Sequence, residues 1–105
     1  MTNFKQQFCY ALQEVDFLME CAFTEVGGVP DPGTDLDQLG LKDGVSIVED
    51  YLDQREVALA LEHLIYMIIS GHLPISFATF NFIKQAGQEL KVDTKLIKEV
   101  TNKGV

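Results

Sequence analysis

Three observations predict an all-α fold, a compact bundle of about five helices. Apolar residues recur at steps of three and four through most of the chain. No segment keeps a strand-like alternation or carries an Asn-Gly hairpin turn. Gly, Pro, Ser or Asp stands at each place where the helical period stops and restarts. With 105 residues, residues 1–105 fit one domain that buries roughly 60–65% of its unfolded surface, enough for a core without staples. The apolar share is ordinary for a globular protein, which argues against disorder outside the ends and one loop.

The first helix is expected from Phe4 to Val26. Phe4, Phe8, Ala11, Leu12, Val15, Leu18, Met19, Ala22, Phe23 and Val26 trace one face, with Lys5, Gln6, Gln13, Glu14, Asp16 and Glu20 mostly opposite. Gly27 and Gly28 end it, and Pro30 and Pro32 prevent its resumption. Residues 27–40 form a Gly/Pro/Asp-rich loop, and a connection of that length is commonly functional or mobile. Leu36 and Leu39 are expected to tack part of it onto the core.

Asp43 is expected to cap a short helix with Val45, Val48 and Leu52 inward and Glu49, Asp50 and Asp53 toward water. A bend near Gln54 leads into a third helix, 55–70, apolar on most sides as a central bundle helix is: Val57, Ala58, Leu61, Leu64, Ile65 and Ile68 point inward, extended by Leu59, Tyr66 and Ile69. Gly71 closes it and Pro74 bars continuation. Ser76 caps a fourth helix with Phe77, Phe80, Ile83, Gly87 and Leu90 at helical steps, and Asp93 caps a fifth with Leu96, Ile97 and Val100. The first and third helices are the long core pair.

Catalytic signals are absent. Nucleophilic catalysis needs a Ser or Cys with a positioned histidine, and the only histidines are His63, mid-helix beside Glu62, and His72, at a helix end. Both read as structural. Asp31, Asp35 and Asp37 do not match an EF-hand loop, paired zinc ligands are missing, and Gly27-Gly28 follow a helix instead of cradling a phosphate. The i,i+4 pair Glu49 and Asp53 reads as a solvated or partner-facing edge. No catalytic residue, metal or cofactor is therefore expected, and no enzyme activity.

Cys9 and Cys21 lie on one helix, about 18 Å apart at about 1.5 Å per residue, beyond disulfide reach. Two reduced core thiols, no signal peptide and no apolar run long enough to span a bilayer point to the cytoplasm.

Charge is the best functional clue. From Glu14 to Glu62 the chain carries thirteen carboxylates and two basic residues, Lys42 and Arg55; from Lys84 onward five lysines face three acids. Such an acidic half suits a basic partner, because its field speeds association and disfavours nucleic acid. One competing reading is a small helix-turn-helix-like nucleic-acid-binding regulator, with Ile83 to Val100 as the motif and Lys84, Lys91, Lys95, Lys98 and Lys103 on phosphates. Its recognition helix would lack arginine, and the rest of the chain would repel DNA. Another is a subunit of a larger assembly that uses the same acidic face.

The run Glu56-Val57-Ala58-Leu59-Ala60-Leu61-Glu62-His63-Leu64, with Ile65-Tyr66-Met67-Ile68 and Leu73-Pro74-Ile75-Ser76 after it, resembles the small helical immunity proteins of the MafI type. Related proteins occur in bacterial contact-dependent growth inhibition systems. The resemblance spans Val48 to Leu90. It implies a cytosolic antidote that binds and neutralises one cognate toxin domain, often a nuclease acting on RNA. The partner-binding residues expected on that reading are Asp35, Asp37, Glu49, Asp50, Tyr51, Asp53 and Glu56, with Tyr51 as the apolar anchor among acids. Glu62 and His63 are expected to maintain the fold. Phe77, Phe80 and Phe82 are a candidate apolar patch for self-association.

Overall fold

The computed structural model describes residues 4–34 and 41–94. Among them are four helices and no strand: α1 (Phe4–Glu25), α2 (Gly44–Asp53), α3 (Val57–Gly71) and α4 (Phe77–Leu90). The all-α class stands. The fifth helix expected over Leu96, Ile97 and Val100 lies outside the described residues, as do Leu36 and Leu39; Asp93 and Thr94 are described and are not helical.

The core lies at α3, which like α1 packs against each of the other helices, and most extensively against α2. Ala60, Leu61, Leu64, Ile65, Met67 and Ile68 are buried on α3, consistent with its apolar character on most sides. They meet Phe8, Ala11, Leu12, Val15 and Met19 from α1, Val48 from α2, and Phe82, Ile83 and Ala86 from α4. Phe8 and Phe82 join α1 to α4 with rings edge to face, centroids 5.1 Å apart at 79°. The pairing of the two long helices is thus only part of the bundle; the α2–α3 contact is the larger one.

The helix ends explain how the turns are made. Gly27 takes φ 79°, the Gly27 N–H donates to the Thr24 carbonyl at 3.0 Å and the Gly28 N–H to the Phe23 carbonyl at 2.8 Å. That is a Schellman close, with glycine where the left-handed conformation is needed. α2 and α3 close in the same way on non-glycine residues, Arg55 and His72, at φ 62° and 52°. α4 closes on Lys91 at φ 60°, with the Lys91 and Val92 N–H groups both donating to the Gly87 carbonyl. Gly71 precedes the left-handed position instead of filling it. It is small for a packing reason, since a Cβ there would stand 3.1 Å from Leu73 Cδ2 and 3.3 Å from Met19 Cε. All three left-handed residues are basic in type, which suits the negative end of a helix.

The starts differ more. The Ser76 hydroxyl accepts from the Thr79 N–H at 3.3 Å, as the cap of α4. Asp43 occupies the cap position of α2 at φ −101°, ψ 18°, but its side chain makes no cap bond; only its carbonyl accepts, from the Ile47 N–H at 3.2 Å. The expected cap is correct in place and not in mechanism, because a cap side chain reaches forward from extended backbone.

Two further expectations are corrected. Cys9 and Cys21 are exposed free thiols, not core thiols. The buried stripe of α1 is Phe8, Ala11, Leu12, Val15 and Met19, and both cysteines fall off it. On α4 the inward residues are Thr79, Phe82, Ile83, Ala86 and Gly87, so Ile83 and Gly87 face in as expected while Phe77 is exposed and Phe80 half-buried. Gly87 is buried because the chain folds back over it: a Cβ there would lie 2.5 Å from Thr94 Cγ2 and 3.0 Å from the Val92 carbonyl.

Candidate partner-binding surface

α2 presents its charges by simple helical arithmetic. Val48 is buried, with Val45, Tyr51 and Leu52 packed against the core beside it. One turn around, Ser46, Glu49, Asp50 and Asp53 are exposed. Glu56, in the connection to α3, is exposed as well; its N–H donates to the Tyr51 carbonyl at 2.8 Å as α2 closes. The turn at Arg55 thereby sets Glu56 directly after the row on α2. Of the expected binding residues, Glu49, Asp50, Asp53 and Glu56 are exposed. Tyr51 is half-buried and packs against the core, so much of its ring is committed to the fold. Asp35 and Asp37 lie outside the described residues.

These acids sit where the helix disfavours them. None of the four described helices has an acidic residue in its first turn, where the dipole would favour one. Asp50 and Asp53 instead occupy the last turn of α2, whose end is negative. Glu49 and Asp53, at i,i+4, also repel each other. α1 repeats the pattern with Glu25 as its last residue.

Sequence reasoning passed over a second surface, on α1. Tyr10 and Phe17 are 63% and 64% exposed, and Gln6 Nε2 donates to the Tyr10 hydroxyl at 3.4 Å. Asp16, Glu20 and Glu25 are exposed around Phe17. Two concavities flank this helix. A groove of about 380 Å³ runs between α1 and the start of α2, with Met19, Phe23, Leu41, Val45 and Met67 as its apolar lining and Asp16, Glu20 and Lys42 at its edges. A shallower depression lies beside Phe17, lined by Glu20, Cys21, Thr24 and Glu25. The signal was present in the sequence: Tyr10 and Phe17 are large apolar residues that fall off the periodic stripe.

The histidines have structural settings. His63 is half-buried with its ring tilted against Tyr66, centroids 5.4 Å apart, and His72 supplies the left-handed close of α3. Among the described residues no group of three His, Cys, Asp or Glu side chains is placed to hold a metal ion, and no helix is long and apolar enough to cross a membrane. Phe82 belongs to the core and Phe80 is half-buried against it, so of the three only Phe77, stacked on Phe80 at 6.2 Å, is exposed. A helix-turn-helix would need its second helix in residues 95–105, outside the described part.

No family model, no curated protein and no solved structure matches this chain.

Proposed function

We propose that this chain is a cytoplasmic immunity protein, which binds a basic toxin domain through the acidic face of α2 and neutralises it. The observation that carries the reading is the placement of Glu49, Asp50 and Asp53. All three are exposed, and two stand at the end of α2 where the dipole opposes them. Acids kept at positions that weaken their own helix are accounted for by use elsewhere, as stability is commonly traded against function. The net charge of −8 extends the same field over the molecule and speeds encounter with a basic surface.

A nuclease toxin fits because its cleft is built to hold phosphates. Carboxylates spaced along one helix edge imitate a short run of backbone charge, and blocking that cleft stops catalysis without any chemistry by the antidote. Exposed ion pairs individually contribute little, so the charged row steers and orients while apolar contacts must supply the slow dissociation.

The test is co-expression with the C-terminal domain of a large secreted protein encoded beside this chain. Restored growth and a complex stable to purification are expected. In the Glu49→Lys, Asp50→Lys, Asp53→Lys triple variant, association at low salt should slow by about tenfold or more with the helical content unchanged. Rescue that is indifferent to the triple change would remove α2 as the interface, and a well-folded chain with neither complex nor rescue would remove the pairing.

A further inference from the structure

We infer that the solvent face of α1 is a second docking surface, shaped for a basic amphipathic helix of a partner protein with Phe17 as its apolar anchor. Tyr10 and Phe17 are seven residues apart, two turns and about 10 Å along one side of the helix. Gln13 lies between them and Cys21 and Thr24 continue the line, all exposed. Positions 10, 13, 17, 21 and 24 therefore follow the three-and-four spacing of a helix-pairing seam. Two aromatic rings on one exposed seam are more than a scattered apolar residue, and rings of this kind anchor helix-in-groove contacts. Beside Phe17 an open, shallow depression formed by Glu20, Cys21, Thr24 and Glu25 continues the exposed seam.

Charge selects the occupant. From Gln6 to Glu25 the helix has no basic residue and four acids, Glu14, Asp16, Glu20 and Glu25, of which the last three are exposed around Phe17. A second copy of α1 would set those acids against themselves, and an anionic lipid surface would be repelled. A helix with an apolar stripe edged by lysine or arginine satisfies both the rings and the carboxylates. This surface is separate from the α2 row and does not require the partner to be a toxin.

The test uses a fluorescein-labelled helical peptide of about 18 residues, a leucine seam flanked by lysines, and a control peptide with glutamates for the lysines. Saturable binding of the lysine peptide alone is expected by anisotropy, weakened by about tenfold or more in Phe17→Ser and in Asp16→Lys, Glu20→Lys. The α2 triple variant should bind nearly as the parent protein does. Saturating peptide should also protect Cys21, in the depression, from N-ethylmaleimide more than it protects Cys9 on the same helix. Phe17, Asp16 and Glu20 are exposed, and circular dichroism verifies that the variants remain folded. Absence of saturable binding would overturn the inference, as would equal loss in the α2 variant. It would equally fail on a Phe17-dependent dimer in sedimentation, or on Phe17-dependent adsorption to phosphatidylcholine–phosphatidylglycerol vesicles.

Discussion

The Glu14 carboxylate on α1 accepts a hydrogen bond from the backbone N–H of Ser76 at 2.7 Å, across 62 positions of sequence. Ser76 is itself the cap of α4, its hydroxyl holding the Thr79 N–H. In a local capping box the acidic residue three positions into the helix reaches back to the cap N–H. Here that position is Thr79, and α1 supplies the carboxylate from outside. Glu14 thus fixes where α4 begins relative to α1, while Phe8 and Phe82 set how closely the two helices pack.

Removing that link should be measurable. Glu14→Ala is expected to lower stability by about 1 kcal/mol, the size of a lost helix cap, seen as a lower urea midpoint with an unchanged slope. Glu14→Gln keeps an acceptor oxygen and should lose less. Equal losses for the two would show that the carboxylate charge, not an acceptor oxygen alone, makes the contribution.

Gly87 tests the return of the chain over α4. Gly87→Ala sets a methyl against Thr94 and the Val92 carbonyl and should cost about 1–3 kcal/mol by overpacking. In Gly87→Ala, Thr94→Ala the side-chain part of the clash is gone, so the combined loss should fall short of the sum of the single losses. Strict additivity in thermal unfolding would show that Thr94 does not cover this face.

The left-handed helix closes predict opposite signs at two sites. Lys91 holds φ 60° with a side chain where Gly27 holds φ 79° without one. Lys91→Gly should raise stability by about 0.5 kcal/mol, relief of backbone strain outweighing added chain entropy and a weakened dipole contact. Gly27→Ala should lower it by about 1 kcal/mol. A stability loss in Lys91→Gly would mean that the lysine side chain contributes more than its strained backbone costs.

Neutralising the end of α2 should separate stability from binding. Asp50→Asn, Asp53→Asn is expected to raise the thermal midpoint, gaining about 0.3–1 kcal/mol per site from the dipole and from relieved repulsion. The same change should slow association with a basic partner at low salt. Faster or unchanged association would detach the acidic row from function.

Leu61, fully buried on α3, is the control for the core. Leu61→Ala should cost about 2–5 kcal/mol through the cavity it leaves, and a negligible loss would mean that α3 is not central.

Sequence by itself determined the helical class, the approximate bounds of α1 to α4 and the central place of α3. Each rests on local chemistry: three-and-four spacing along Phe8 to Met19, glycine at the left-handed residue 27, serine at position 76. It also placed Glu49, Asp50 and Asp53 on the outer side of α2, since Val48 and Leu52 define the inner one. Tertiary structure alone decided which apolar residues lost the competition for the core. Phe77, Phe80 and Phe82 all carry the hydrophobicity to be buried, yet Phe82 is buried against Phe8, Phe80 only partly against the core, and Phe77 is left exposed. Tyr10 and Phe17, already off the periodic stripe, lie exposed on α1, and the exposure of Cys9 and Cys21 follows from which sides of α1 the other helices cover. The bond from Glu14 to Ser76 had no local signal, because periodicity reports the face of a single helix, whereas a contact depends on which second helix arrives there.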